Sequence, residues 1–278
     1  MKTTQENILI LGATGKTGRR IAQRMETAGL PVRLGSRMAT PPFDWEDRAT
    51  WEASLDGIHA VYLSFQPDLA VPGALETVQA FTDQAVKSGV SKLVLLSGRG
   101  EVEAEQAERV IQNSGVDWTI LRASWFFQNF SDAHFLGPIL QGELALPVGH
   151  IAEPFIDAED IAEIAVEALT KPGHSGQLYE LTGPRALTFA EAVDEIARAT
   201  KREIRFAAVP PEAYRQALEQ EELPAQLIDL VLYLFTTVLD GRNTPVANGV
   251  QRALGRPARD FSDYVRRTAA SGVWANEG

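Results

Sequence analysis

Gly12, Gly15 and Gly18 stand three residues apart, directly behind the apolar run Ile8-Leu9-Ile10-Leu11. Glycine lets a backbone turn sharply and come close to an anion. A strand, a glycine-rich turn and a helix start, in that order, bind the pyrophosphate of a dinucleotide, because the helix N-terminus offers N–H groups and a partial positive charge. The residues expected to line that turn are Gly12, Thr14, Gly15, Lys16, Thr17 and Gly18. About 20 positions further on, an NAD site usually carries an acid that holds the ribose 2′-hydroxyl. This chain has Gly35-Ser36-Arg37 there. Arg37 offers charge-assisted bonds to a 2′-phosphate and a flat face for adenine. Ser36 adds a hydroxyl, and Lys16 reaches toward the same phosphate or the pyrophosphate. The cofactor expected is NADPH.

The acid–base residues are informative by what is missing. Many reductases on such a fold use a Tyr-x-x-x-Lys pair, in which the lysine lowers the tyrosine pKa for proton transfer to a carbonyl oxygen. The five tyrosines are Tyr62, Tyr179, Tyr214, Tyr233 and Tyr264, and none has a lysine four residues later. An iminium ion already carries positive charge and accepts hydride without a general acid. A quinone or other conjugated acceptor draws its proton from water or a weak donor. A protein that only senses the NADPH/NADP ratio is the non-catalytic alternative.

The elements that must position these groups alternate through the first half. Short strands are expected at Pro31-Val32-Arg33-Leu34, Gly57 to Ser64, within Val90 to Ser97, and at Val116 to Arg122. Helices are expected at Arg19 to Ala28, Gly73 to Ser88 and Glu101 to Ser114. Such alternation makes βαβ units and a parallel sheet, whose ligands bind at the carboxyl ends of the strands. That rule selects Ser64 and Phe65 for the cofactor, and Ser97 for the nicotinamide ribose or the substrate. Trp125, Phe126 and Phe127 form either a flat wall over the nicotinamide, with Trp125 and Phe126 the site residues, or the core of the lobe. Phe155 joins the cofactor residues, and Asp157 is placed to stabilise a cationic substrate. Asp160 reads as a helix cap.

The second half reads differently. Trp125 to Gly149 is aromatic-rich and irregular. Phe155-Ile156-Asp157 reads as a short strand, Asp160 to Thr170 as a helix and Gln177 to Gly183 as a strand. Thr188 with Glu191 forms a capping box for a helix to Ala199. Glu212 to Gly241 reads as helical, interrupted near Pro224. The fold class expected is α/β: a Rossmann-type doubly wound parallel sheet with a smaller interleaved C-terminal substrate lobe. Residues 1–130, with 154–183 returning, form the nucleotide core; 131–153 and 184–278 form the lobe.

At 278 residues and 45% hydrophobic content the chain is a globular protein with room for such a lobe. A net charge of −11 disfavours nucleic acid and anionic membranes as partners. No apolar run approaches the ~20 residues of a membrane span, and MKTTQEN lacks an apolar signal core. With no cysteine, thiolate zinc sites and cysteine nucleophiles are excluded. The four histidines have no metal-ligand spacing, so no metal is expected. Cytoplasmic residence is the default, the partner expected is a small-molecule substrate, and a homodimer is left open.

GATGKTG, KLVLLSG, SGVDWTILRASWFFQNF and FIDAEDIAEIAVEAL resemble the NmrA-like group of atypical short-chain dehydrogenases over roughly the first 185 residues. FDWEDRATWEASLDGIHAVYL and LGRPARDFSDYVRRTAASGVW resemble the festuclavine and agroclavine dehydrogenases of ergot-alkaloid biosynthesis and their bacterial relatives. The resemblance implies NADPH use and reduction of an iminium without a Tyr/Lys pair. The wider group implies quinone or azo-type reduction, or redox sensing, as alternatives. It places Asn129 after the aromatic pair. The chain departs from the group at Lys16, where a small polar residue is usual.

Overall fold

The computed structural model describes residues 7–132 and 134–275. In chain order the strands are β1 (Asn7–Leu11), β2 (Val32–Gly35), β3 (Ile58–Leu63), β4 (Lys92–Gly98), β5 (Asp117–Ala123), β6 (Glu143–Leu146), β7 (Ala152–Glu153), β8 (Gln177–Leu181), β9 (Leu187–Thr188) and β10 (Arg205–Ala208). The α-helices are α1 (Gly18–Thr27), α2 (Trp51–Leu55), α3 (Ala74–Lys87), α4 (Val102–Gln112), α5 (Leu136–Gln141), α6 (Ala158–Thr170), α7 (Phe189–Thr200), α8 (Pro211–Gln220), α9 (Ala225–Tyr233), α10 (Gly249–Leu254) and α11 (Phe261–Ala270). The chain divides into two compact units. The first runs to Ala123 and resumes over Ala158–Leu181 and Gly249–Gly255; the second comprises Ser124–Asp157, Thr182–Asn248 and the chain from Arg256.

In the first unit, six strands form one sheet in the order β2-β1-β3-β4-β5-β8. Every neighbouring pair is parallel. Strands covered on both faces must be apolar through their centres, which is why Ile8 to Leu11 in β1 and Leu93 to Leu96 in β4 are unbroken runs of Leu, Ile and Val. The strand order reverses between β1 and β3, since the chain leaves β1 toward β2 and returns to β3. Helix α3 turns Val78, Phe81 and Ala85 inward at helical spacing. They join a core with Leu9, Leu11, Phe43, Trp51, Leu63 and Leu95. The doubly wound parallel α/β fold read from the alternation is the fold of this unit.

The second unit carries two small sheets, β6 paired parallel with β10 and β7 paired antiparallel with β9. Its core is aromatic: Phe127, Phe130, Phe135, Phe155, Phe189, Phe235, Phe261, Tyr264 and Trp274. Thr188 caps α7 with the full capping box, its hydroxyl accepting from Glu191 N and the Glu191 carboxylate accepting from Thr188 N. Helix α9 ends in a π-helical turn over Leu234–Val238.

The structure corrects several expectations. Residues 124–130 and 154–157 lie in the second unit, because Phe127, Phe130 and Phe155 are buried in its core. Gly249–Gly255 returns to the first unit: α10 packs on β8, and a Cβ on Gly249 would overlap the Glu180 carbonyl oxygen. Phe155-Ile156-Asp157 forms no strand, only a single parallel bridge between Ile156 and Phe126. The aromatic-rich stretch from Trp125 to Gly149 is not irregular throughout, since it contains α5 and β6. Asp160 sits inside the first turn of α6 rather than capping it, and is fully buried.

Candidate functional site

The first unit builds its candidate site from the glycine turn. Gly12 adopts φ +67°, which favours glycine. Its carbonyl oxygen accepts from Gly15 N at 2.8 Å. A Cβ on Gly18 would overlap that same carbonyl, and one on Gly15 would lie 3.2 Å from it and 3.5 Å from the Gln66 side-chain nitrogen. A Cβ on Gly12 would meet Ser64 Cβ at 3.3 Å, so Ser64 stands across the turn. Thr17 is buried, and the Tyr62 hydroxyl donates to its Oγ1 at 2.9 Å, which pins the turn to β3. Thr14 is exposed and Lys16 half-buried, with the Lys16 carbonyl accepting from Arg20 at 2.6 Å. Helix α1 begins directly behind, with no acidic residue in its first turn to oppose a bound anion.

At the end of β2, the Ser36 carbonyl accepts from Ala39 N and Phe43 N, folding the following loop back. Arg37 is exposed, and among the described residues no hydrogen bond or ion pair engages its guanidinium. Phe65 is half-buried against the core, its ring 4.9 Å from Trp45. Gln66, which sequence reasoning missed, is exposed beside the turn. Its signal was its place just after a central strand.

Ser97 does not present a proton to a ligand. It is buried, and its hydroxyl donates to Glu108 Oε1 at 2.6 Å. Glu108 is itself buried and gripped by Arg122, at 2.8 Å from Nε and 2.5 Å from Nη2. A buried carboxylate needs such partners, so the expected catalytic and cofactor role of Ser97 gives way to satisfying this ion pair.

Sequence reasoning also missed two acids that follow adjacent strands. Asp68 lies after β3 and Glu101 after β4, at the start of α4. Their carboxyl groups are hydrogen-bonded to each other. Asp68 Oδ1 also accepts from Ala70 N at 2.8 Å. A Cβ on Gly98 would overlap the Glu101 carboxyl, so that group lies against the last residue of β4. Burial, the neighbouring Asp68 charge and hydrogen bond, and the charge of Glu103 hold Glu101 well above the usual carboxylate range. Burial also raises Asp68, against the Ala70 N–H bond.

In the second unit the remaining candidates separate. Phe155 is fully buried, ringed by Phe130 at 5.5 Å, Phe189 at 5.0 Å and Phe261 at 6.3 Å. Its ring belongs to the core and not to a cofactor site. Asp157 is fully buried, accepting from Gln128 Nε2 at 2.7 Å and Arg267 Nη2 at 2.9 Å. A guanidinium already balances its charge, which removes the expected role of facing a cationic substrate. Trp125 is half-buried, its ring 4.9 Å from Phe235 and 5.8 Å from Phe189. Phe126 is half-buried, and among the described residues no aromatic ring packs on it. Asn129 is half-buried, its N–H donating to the Phe126 carbonyl.

Residues 12–172 match the model of a family described as NAD(P)H-binding. The chain is 30% identical to an NAD(P)H azoreductase of Xenophilus azovorans, across 95% of this chain and 98% of that protein. It is 31% identical to agroclavine dehydrogenase of Claviceps fusiformis, across 93% and 96%. The crystal structure of an NADPH-dependent quinone oxidoreductase from Escherichia coli, complexed with NADPH, superposes with a TM-score of 0.75 at 20% identity, covering 94% of this chain and 99% of that one. At that identity the superposition speaks for the fold.

Proposed function

The chain belongs to the NAD(P)H-binding family and is an NAD(P)H-dependent oxidoreductase; from that premise we propose that it prefers NADPH and passes hydride to a small conjugated organic acceptor, an iminium or related C=N compound first. The observation that carries the cofactor preference is Arg37, exposed behind β2 in the run Gly35-Ser36-Arg37, with no hydrogen bond or ion pair to its guanidinium among the described residues.

The residues present fit a dinucleotide. The turn keeps its tight shape only with glycines, since a Cβ on Gly18 would overlap the Gly12 carbonyl, one on Gly15 would lie 3.2 Å from it and one on Gly12 would lie 3.3 Å from Ser64. Gly12, Thr14, Gly15, Lys16, Thr17 and Gly18 would hold the pyrophosphate, Ser64 the sugar beside it, and Ser36 with Arg37 the 2′-phosphate. When bound, the reduced nicotinamide supplies hydride. The protein's contribution is orientation and exclusion of water. The expected role of Trp125 and Phe126 is to offer a flat apolar face to a planar acceptor, and Phe126 is the one on which no aromatic ring packs among the described residues.

An iminium needs no proton from the protein. The azoreductase relative favours a second reading, in which the acceptor is an azo compound or quinone that takes up a proton as well as hydride.

Arg37→Ala tests the cofactor reading. A charge-assisted bond lost from a phosphate predicts an NADPH Kd raised by roughly 10- to 100-fold, with NADH affinity within about 2-fold of wild type. Equal losses for both cofactors would sink it. NADPH oxidation against a cyclic iminium, a benzoquinone, an azo dye and a simple ketone tests the acceptor. Turnover of the ketone at the rate of the others would overturn hydride transfer to activated acceptors.

A further inference from the structure

We propose that the Asp68–Glu101 pair is the proton source of the reduction, with Glu101 the general acid toward acceptors that take up a proton together with hydride. This inference rests on the reductase reading above.

Position is the first support. The strand order runs β2-β1-β3-β4, with the reversal between β1 and β3. The glycine turn and Arg37 would hold a dinucleotide's phosphates behind β1 and β2, and the strands on the other side of the reversal are β3 and β4. Asp68 and Glu101 are the acids that follow those two strands, and Glu101 lies against Gly98 at the very end of β4.

The pair's internal geometry is the second. Two carboxyls in hydrogen-bond contact cannot both carry charge, so they hold one proton between them. Asp68 is the acceptor side, since the Ala70 N–H already stabilises its carboxylate. Glu101 is the donor side, and it is largely buried. Among the described residues no basic side chain pairs with either acid. The titratable groups acting on Glu101 are Asp68, from the connection after β3, and Glu103, on its own helix. Both are acidic, so both favour retention of the proton. The chain thus keeps a neutral carboxylic acid at the strand edge where the Tyr/Lys relay is missing.

The step balances simply. When bound, the reduced nicotinamide would supply hydride to one atom of an N=N or quinone acceptor. The Glu101 O–H bond breaks, and its proton forms the new N–H or O–H bond on the conjugate heteroatom. Glu101 is left as a carboxylate beside Asp68. Like-charge repulsion then draws a proton from solvent through half-exposed Asp68.

The test compares wild type, Glu101→Gln and Asp68→Asn on an azo dye, a benzoquinone and a permanently charged cyclic iminium. A positioned general acid contributes about 10²- to 10⁴-fold. Glu101→Gln is expected to lower kcat for the dye and quinone by that factor, far more than for the iminium. The wild-type kcat for the dye falls as pH rises through the pair's titration. Glu101→Gln loses that limb. Asp68→Asn removes the like charge, so Glu101 ionises more readily and the limb moves to lower pH. Carboxyl carbon NMR of the protein without cofactor supplies a readout apart from turnover: one glutamate resonance, absent in Glu101→Gln, titrates well above the others. NADPH Kd confirms that both variants are folded. Wild-type dye kinetics and an unmoved pH limb in Glu101→Gln, or a Glu101 resonance in the ordinary range, would overturn the pair alone. Turnover of the iminium only would also overturn it and leave the reductase reading standing. No turnover of any acceptor by wild type removes both.

Discussion

Two stretches that each follow a strand of the six-stranded sheet are constrained in opposite ways. After β1, residues 12–18 are fixed by backbone: the Gly12 carbonyl closes the turn on Gly15 N and excludes a side chain at Gly18. After β5, residues 124–130 are fixed by volume. Phe127 and Phe130 are buried, with Phe261 5.0 Å and 5.5 Å from their rings, whereas Trp125 and Phe126 between them and the strand stay half-buried. A turn whose backbone closes on itself leaves almost no room for a side chain at Gly18. An aromatic stretch divides one residue type between a core and a surface, and only the surface members are available to a ligand.

The sharpest way to break that contrast is inside the aromatic set. Phe155→Ala removes a fully buried ring and is expected to cost about 3–5 kcal/mol of unfolding free energy by denaturant titration. Phe126→Ala is expected to cost about 1 kcal/mol or less, yet to lower kcat/KM for a planar acceptor. Similar stability losses for the two would dissolve the distinction between core and surface. Next in size is Gly18→Ala. Its methyl overlaps a backbone carbonyl, so the turn must shift; a loss of roughly 2–3 kcal/mol is expected, together with NADPH binding. Retained NADPH affinity in calorimetry would mean the turn is not the phosphate cradle.

The same contrast explains what was legible from residues alone. The glycine spacing, the unbroken apolar strands and the Thr188–Glu191 capping box each encode a local backbone requirement, so each could be read without neighbours. Phe155 and Asp157 could not. Both approach in sequence like site residues, but Gln128, Arg267 and three phenylalanine rings, up to 110 residues away, decide their role. For Ser97 the distant partner is Glu108, which accepts from its hydroxyl and is itself held by Arg122. The Asp68–Glu101 pair was invisible because its partners are 33 residues apart in number and meet only when β3 and β4 pair side by side.

The smallest effect concerns acidity, and it separates the two units by sign. In the second unit Arg185 holds Asp260 below its ordinary range by direct hydrogen bonds, helped by Ser262. A depressed carboxyl stabilises the fold above the unfolded-state value of about 4 and loses that contribution as pH falls below it. Both partners are partly exposed, so solvent screening leaves about 1 kcal/mol. In the first unit Glu101 is raised, so its contribution is complete below about 4 and is lost as pH rises through the folded-state value. Thermal melts across pH therefore have two independent limbs. Asp260→Asn should flatten the acid limb only, and Glu101→Gln the limb toward alkaline pH only. If Glu101→Gln flattened the acid limb instead, Glu101 would be an ordinary ionised carboxylate, and the proton assigned to the first unit's strand edge would not be there to give.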